Sequence, residues 1–368
     1  MPLRIVHCAD LHLETVFADR RGGARRRAAL ADALVRIVEL ALARRADVLT
    51  IGGDLYEGER TGPQTIRFLF EQFARFGRPI YLAPGNHDPF SLGSPLARAD
   101  LPPNVRLFDE AAWRAYPLAS NVTLYGFGHT PAEPGRPFAN ARFERAGLKL
   151  ALVHGSDEAR CPPHKRATAP LLAEEVRAAG AELALLGHYH GGYVAERDGR
   201  AVLAYPGSAE PIRFGEGDAH GALLVTIDGG ALSLEAIPLA RTRALDLRCD
   251  LEGAPSEHAV LERLEATLAG CGRDDYVRVE LVGAPERGTR LDLETARRRY
   301  EDALGSLELS DATTAFDAER IAHEPTVRGH VARELRALAG DPDPRQAARG
   351  SAALRLALAA FDGVEIAP

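Results

Sequence analysis

Residues 79–88 read Pro79-Ile80-Tyr81-Leu82-Ala83-Pro84-Gly85-Asn86-His87-Asp88. A short apolar run with β character stops at a glycine, and an amide, an imidazole and a carboxylate follow at once. In open α/β sheets the ligand crevice lies beyond the carboxyl ends of the strands, so a strand that ends in such a loop is placed to present ligands. The same grammar recurs four times. Asp10-Leu11-His12 follows Leu3–His7, and Gly52-Gly53-Asp54 follows Val48–Ile51. His154-Gly155 follows Leu148–Val153, and Gly187-His188-Tyr189-His190 follows Leu183–Leu186.

Outward from these motifs, further strand-like runs stand at Val122–Tyr125, Val202–Tyr205, Leu223–Ile227 and Leu232–Ile237. Leu30, Leu34, Ile37, Val38 and Ala41 share one helix face, as do Ile66, Leu69, Phe70 and Phe73. Strand–helix alternation followed by closely spaced strands predicts an α/β fold of two mixed sheets packed face to face, with helices outside. After Pro238 the composition shifts. Strands at Ala244–Leu247, Tyr276–Leu281 and Ser306–Leu309 alternate with helices at Glu257–Leu268 and Leu293–Leu304, which suffices for a small α/β module. The remainder is helical, with one stripe through Val331, Leu335 and Leu338 and another through Leu354, Leu358 and Phe361. Asp341-Pro342-Asp343-Pro344 separates them, because proline cannot continue a helix. The last residues are expected to fray.

The chain has 368 residues, 46% hydrophobic and 26% charged, which is ordinary globular composition with room for more than one domain. No apolar run reaches the ~18 residues needed to span a bilayer, and the start MPLRIVHCAD reads as a strand rather than a signal peptide. Cys8, Cys161, Cys249 and Cys271 form no CxxC pair, which argues against a disulfide framework or zinc ribbon and fits a cytoplasmic protein. The net charge is −7, unequally spread. Residues 1–240 carry 27 Lys+Arg against 28 Asp+Glu, and residues 241–368 carry 18 against 24. Two bound divalent cations would turn the first net of −1 into +3. A phosphate-facing site is then electrostatically allowed, without a strong sequence-independent grip on DNA.

Carboxylate, imidazole and one amide oxygen suit Mn, Fe or Zn, while the lack of thiolate disfavours a structural zinc site. In Asp10-Leu11-His12 and His188-Tyr189-His190 the outer side chains project to one side of an extended segment, whose period is two. Asp54 is the natural bridge between two ions, since a carboxylate has two oxygens. Two metals ~4 Å apart would polarise phosphoryl oxygens and hold a bridging hydroxide for in-line attack on phosphorus. His87, next to Asp88, would gain a raised pKa from a carboxylate partner, as a general acid or phosphate-oxygen donor requires. Any one of these motifs alone is a turn or a satisfied histidine; five in order, each at a strand end, are a site. His7, His129, His164, His220, His258, His323 and His330 match no motif and read as structural. Cys161 is near the site in sequence only, and the charge run Asp19–Arg27 reads as a solvated loop and helix start.

The motif set DxH, GD, GNHD, H and GHxH resembles the calcineurin-like metallophosphoesterase superfamily over roughly residues 1–240. The opening HCADLHLETVF, Tyr205-Pro206-Gly207-Ser208 and Arg213-Phe214-Gly215-Glu216 look like its SbcD-type branch of DNA double-strand-break repair exonucleases. The resemblance implies a four-layer αββα sandwich at 1–240, a capping α/β domain at 241–315 that approaches duplex DNA, and a helical tail at 316–368. It implies one metal on Asp10, His12, Asp54 and His190, and a second on Asp54, Asn86, His154 and His188, with Mn²⁺ the expected ion. His87 would be the catalytic histidine with Asp88 behind it. DNA would be the substrate, an SMC-like coiled-coil ATPase a partner, and a homodimer the assembly, with no membrane. Phosphoester hydrolysis of a small nucleotide or cyclic nucleotide is the alternative, and a non-catalytic binding module the third reading. Both tail stripes are expected to pack on this chain rather than on the ATPase.

Overall fold

The computed structural model describes residues 1–15, 23–132, 134–162, 164–217, 219–286, 289, 292–300, 303–313 and 318–361. Part of the Asp19–Arg27 charge run and the residues after Phe361 lie outside them. The chain divides into two units, Met1–Ala244 and Leu245–Pro368.

The first unit opens with β1 (Leu3–Cys8), α1 (Gly23–Ala43), β2 (Val48–Ile51), α2 (Pro63–Phe76), β3 (Ile80–Leu82) and β4 (Val105–Leu107). It continues through β5 (Arg114–Ala119), β6 (Val122–Phe127), β7 (Leu148–His154), α3 (Ala173–Ala178) and β8 (Leu183–Gly187). It closes with β9 (Tyr193–Arg197), β10 (Arg200–Tyr205), β11 (Gly221–Asp228) and β12 (Ala231–Pro238). These strands form two six-stranded sheets, in the orders β12-β11-β1-β2-β3-β4 and β5-β6-β7-β8-β10-β9. Within them β1–β4 are mutually parallel, as are β6, β7, β8 and β10, so the strands that carry the motifs share a direction within each sheet.

Side chains alternate along each strand and sort the core into layers. Ile5, Val48 and Tyr81 of the first sheet meet Leu124, Leu150, Leu152, Leu183 and Leu185 of the second. On the other face of the first sheet, Val6, Leu49, Ile51 and Leu82 pack on Leu34 and Ile37 of α1 and Leu69 and Phe73 of α2. On the other face of the second, Ala151, Val153, Ala184 and Leu186 pack on Ala173 and Val176 of α3. The expected four-layer αββα sandwich is therefore present. The strands that apolar runs did not announce, β4, β5 and β9, are all sheet edges with half-exposed patterns, and β5 contains Pro117.

In the second unit β13 (Ala244–Asp250), β14 (Tyr276–Val282) and β15 (Ser306–Asp311) form a three-stranded sheet covered by α4 (Glu257–Leu268) and α5 (Leu293–Arg299). Helix α5 ends at Arg299 with Tyr300 as its C-cap, short of the expected Leu304, and residues 301 and 302 of the expected span lie outside the described residues. Then come α6 (Ala318–Ala322), α7 (Val327–Ala339) and α8 (Pro344–Phe361), with Asp343 accepting from the Arg345 amide at 2.9 Å as α8 starts. Leu358 is buried against Ile321 and Ala332, but Leu338, Leu356 and Phe361 remain exposed. No helix among the described residues is long and apolar enough to cross a membrane.

Candidate metal centre

The five motif loops meet between the sheets because backbone and carboxylate bonds tie them together. The Asp10 amide donates to Gly53 O at 3.0 Å, the His12 amide to Asp54 O at 2.9 Å, and the Gly155 amide to Gly187 O at 3.2 Å. Both Asp10 oxygens accept from the His188 amide at 3.0 Å, which links the first and last motifs across 178 residues. Behind the loops His7 in β1 donates Nε2–H to Leu186 O in β8 at 3.0 Å, pinning one sheet to the other.

Close approach is what Gly85 supplies. A Cβ there would lie 2.2 Å from Asp54 Oδ1 and 2.8 Å from His154 Nδ1, so no other residue fits without displacing both. The site residues carry strain in turn: Asp10 (φ 55°), His12 (φ 44°), Asp54 (φ 50°) and His188 (φ 109°) all have positive φ. Conformations of this kind cost ~1–3 kcal/mol each and persist where the surrounding structure holds them.

The protons in the site are already committed. His154 donates Nδ1–H to Gly52 O at 2.9 Å, which leaves Nε2 as a bare lone pair 2.9 Å from Asn86 Oδ1 and 3.4 Å from Asp54 Oδ2. His12 donates Nδ1–H to Glu57 Oε1 at 2.7 Å, and His190 donates Nδ1–H to Glu216 Oε1 at 2.5 Å. Their Nε2 atoms then face each other at 3.1 Å, with Asp54 Oδ2 3.6 Å from the first. Lone pairs aimed at one another repel, and a cation among them turns repulsion into coordination. Ligand atoms of Asp10, His12 and His190 lie within 4.8 Å of one another, and so do those of Asp10, Asp54 and His154. The donor set fits divalent metal.

The titration behaviour agrees. Burial pushes Asp10 up to about 8 against the downward pull of the His190 charge, and burial pushes Asp54 up to about 6. Burial lowers His188 to about 4 and holds His12 and His154 below the ordinary imidazole value, whereas in His190 burial is outweighed by the bond to Glu216 and the Asp10 charge, which raise it. Buried carboxylates reluctant to ionise beside imidazoles reluctant to protonate are groups that a cation relieves.

The partner of His87 differs from the expected one. Asp88 does not stand behind it: Asp88 accepts from the backbone amides of Gly85 at 2.6 Å, Asp54 at 3.0 Å and Leu55 at 2.8 Å. Its carboxylate staples the third motif to the second, where the expected geometry had it orienting an imidazole. The carboxylate on His87 is Glu57, whose Oε2 takes Nδ1 at 3.1 Å. That bond, ahead of the opposing effect of burial, raises His87 to about 9. Burial opposes ionisation of Glu57, but its bonds from His12 and His87 outweigh it and hold the carboxyl far below the carboxylate range. Glu57 stands three residues after Asp54, and nothing in its sequence context marks it.

Around these groups opens a cleft of about 660 Å³, lined by Asp54, Asn86, His87, His188, His190 and residues of the 156–166 and 213–216 loops. Cys161 lines it too, which corrects the reading of that residue as near in sequence only. His129 supports the site from behind, through Nε2 on His154 O at 2.7 Å.

Such a basin defines a metal-dependent hydrolase. Residues 3–192 match the calcineurin-like phosphoesterase family, and the chain belongs to it. Among curated relatives, the uncharacterized metallophosphoesterase YhaO of Bacillus subtilis (strain 168) is 26% identical over 77% of this chain and 73% of its own. The DNA double-strand break repair protein Mre11 of Methanopyrus kandleri is 24% identical over 90% of this chain and 78% of its own. A component of the SbcCD nuclease of Rhodobacter capsulatus is 34% identical over 24% of this chain and 22% of its own.

Proposed function

We propose that the protein is a Mn²⁺-dependent phosphodiesterase acting on DNA, in a repair or end-processing role. The observation that carries the chemistry is the set of bare donors facing one another beneath a carboxylate-held His87. Likeness to Mre11 along most of both chains supports DNA as the substrate.

Asp10, His12, Asp54 and His190 would hold one cation and Asp54, Asn86, His154 and His188 a second, with Asp54 shared. Bound there, divalent cations supply charge for the phosphoryl oxygens and a nucleophile ionised at neutral pH. The chain's own groups do the rest. His87, half-buried at the lip of the cleft and protonated at neutral pH, is placed to donate to a phosphate oxygen or to the leaving alkoxide. Glu57 keeps its ring oriented and charged, and Asp54 Oδ1 accepts the His87 amide at 2.8 Å, fixing the loop that presents it.

An SMC-like ATPase partner and a homodimer follow from the same reading, and exposed Leu338, Leu356 and Phe361 offer apolar surface for a partner. A small nucleotide is the second reading, favoured by the net charge of −7 and by a cleft volume in the range of small-molecule sites.

The deciding assay uses metal-stripped protein reloaded with Mn²⁺, on end-labelled duplex and single-stranded DNA beside a chromogenic phosphodiester. DNA degradation is expected to require metal and to fall at least ~100-fold in His87→Ala. Turnover of the small diester with DNA left whole would transfer the assignment to the second reading.

A further inference from the structure

Several arginines on the first unit are engaged by carboxylates. Arg44 pairs with Glu235 at 2.8 Å, Arg136 with Glu158 at 2.8 Å and Glu175 at 3.0 Å, Arg177 with Asp198 at 2.6 Å, and Arg197 with Glu174 at 2.9 Å. Three exposed cations that line the cleft are different. Among the described residues no carboxylate stands within ion-pair distance of Arg160, Lys165 or Arg213. In a chain of net charge −7, cations without counter-charges gathered at one cleft call for an external anion.

Arg160 is also held in place. It ends a single 3₁₀ turn, Glu158–Arg160, that Asp157 caps through Oδ1 on the Ala159 amide at 3.1 Å. The other oxygen of Asp157 accepts from Tyr193 Oη at 2.7 Å. The Arg160 guanidinium lies 4.0 Å above the Tyr193 ring, and that ring stacks on Tyr205 at 4.8 Å and 13°. Two neighbouring strands, β9 and β10, thus form an aromatic platform on which the cation rests before any ligand arrives, so little ordering entropy is left to lose on binding. Arg213, from the 213–216 loop, lies near enough for its charge to act on His87.

The reacting phosphate belongs over the convergent donors. An isolated ester has no second phosphate for cations at the mouth; a polynucleotide strand repeats one at every nucleotide, ~3.4 Å of rise apart along a duplex axis. Resting on the nuclease reading, we infer that Arg160, Lys165 and Arg213 bind the phosphates flanking the scissile one, so that the site selects a strand of several nucleotides over a mononucleotide or a lone diester. Their contribution grows with strand length and weakens with salt.

The test compares a dinucleotide with an octanucleotide on Mn²⁺-loaded full-length chain, for wild type, Arg160→Ala/Lys165→Ala and the charge-keeping Arg160→Lys/Lys165→Arg. Wild type should show a KM at least tenfold lower for the octamer. The alanine variant should lose that length preference, mainly through KM rather than kcat, and its log KM against log salt should flatten by about 1.4, for two phosphate contacts. The charge-keeping variant should restore most of both, which separates loss of charge from misfolding. An alanine variant with the wild-type length preference and salt slope would overturn the inference while leaving the nuclease reading intact. Wild type that turns over a lone diester but not the octamer would remove both.

Discussion

Glu57 and His87, thirty residues apart, are joined by a 3.1 Å bond between Oε2 and Nδ1, while Oε1 of the same carboxylate holds His12 at 2.7 Å. One side chain therefore sets the tautomer of a candidate metal ligand and the charge of the candidate acid. In Glu57→Gln both rings lose an anionic acceptor, and kcat is expected to fall by roughly 10–100-fold. An acid must be protonated to act, so wild-type activity should decline as pH rises through about 9, the raised His87 value. The variant's decline should begin at lower pH. A pH profile of kcat for both proteins checks this, and an unmoved alkaline limb would detach Glu57 from His87.

Asp88→Asn should act differently. The buried carboxylate accepts three backbone amides, and an amide side chain would turn an NH₂ toward at least one of them. A loss of roughly 1–3 kcal/mol in unfolding free energy is expected, with the alkaline limb of kcat unmoved. Denaturant unfolding and the pH profile together distinguish stapling from a direct role behind His87.

Metal removal should make stability pH-dependent. With burial raising Asp10 to about 8, above its unfolded value of 3.8, the folded state holds a proton that the unfolded state has lost. That contribution is present at pH 7 and disappears as pH rises through 8, amounting to about 1 kcal/mol between pH 7 and 9. His87 has the same sign near pH 9. Metal-free protein should show a falling Tm over this interval, and saturating Mn²⁺ should raise Tm and flatten the Asp10 part of the slope. Equal slopes with and without metal would contradict a cation at Asp10.

His7 predicts an acid limb. Burial lowers it to about 4 from 6.5, so the folded state excludes a proton that the unfolded state takes up. The stability at stake is intact above pH 6.5 and lost as pH falls toward 4, to a total of roughly 3 kcal/mol. His7→Gln should show a shallower loss across that window in urea unfolding, whatever its stability at pH 7. It should also be less stable there, because the Leu186 carbonyl and Thr50 hydroxyl lose a partner matched in length.

The sandwich and the candidate donors are legible in residue order alone. Apolar runs of three to six residues announce buried strands, and the polar residues just beyond them, from Asp10 to His190, are read at the scale of a few residues. At that scale backbone period and residue chemistry are local properties. What it left dark lies at other scales. Edge strands β4, β5 and β9 bury too little surface to leave an apolar run. The positive φ of Asp10, His12, Asp54 and His188 is imposed by loops packed against one another, against the local preference of those residues. It took the packed fold to bring Glu57 rather than Asp88 to His87, to set Glu216 behind His190 across 26 residues, and to carry the Arg160 loop to the cleft. Each of these depends on two sheets stacking in one register, and adjacency created by packing carries no mark in the order of the residues.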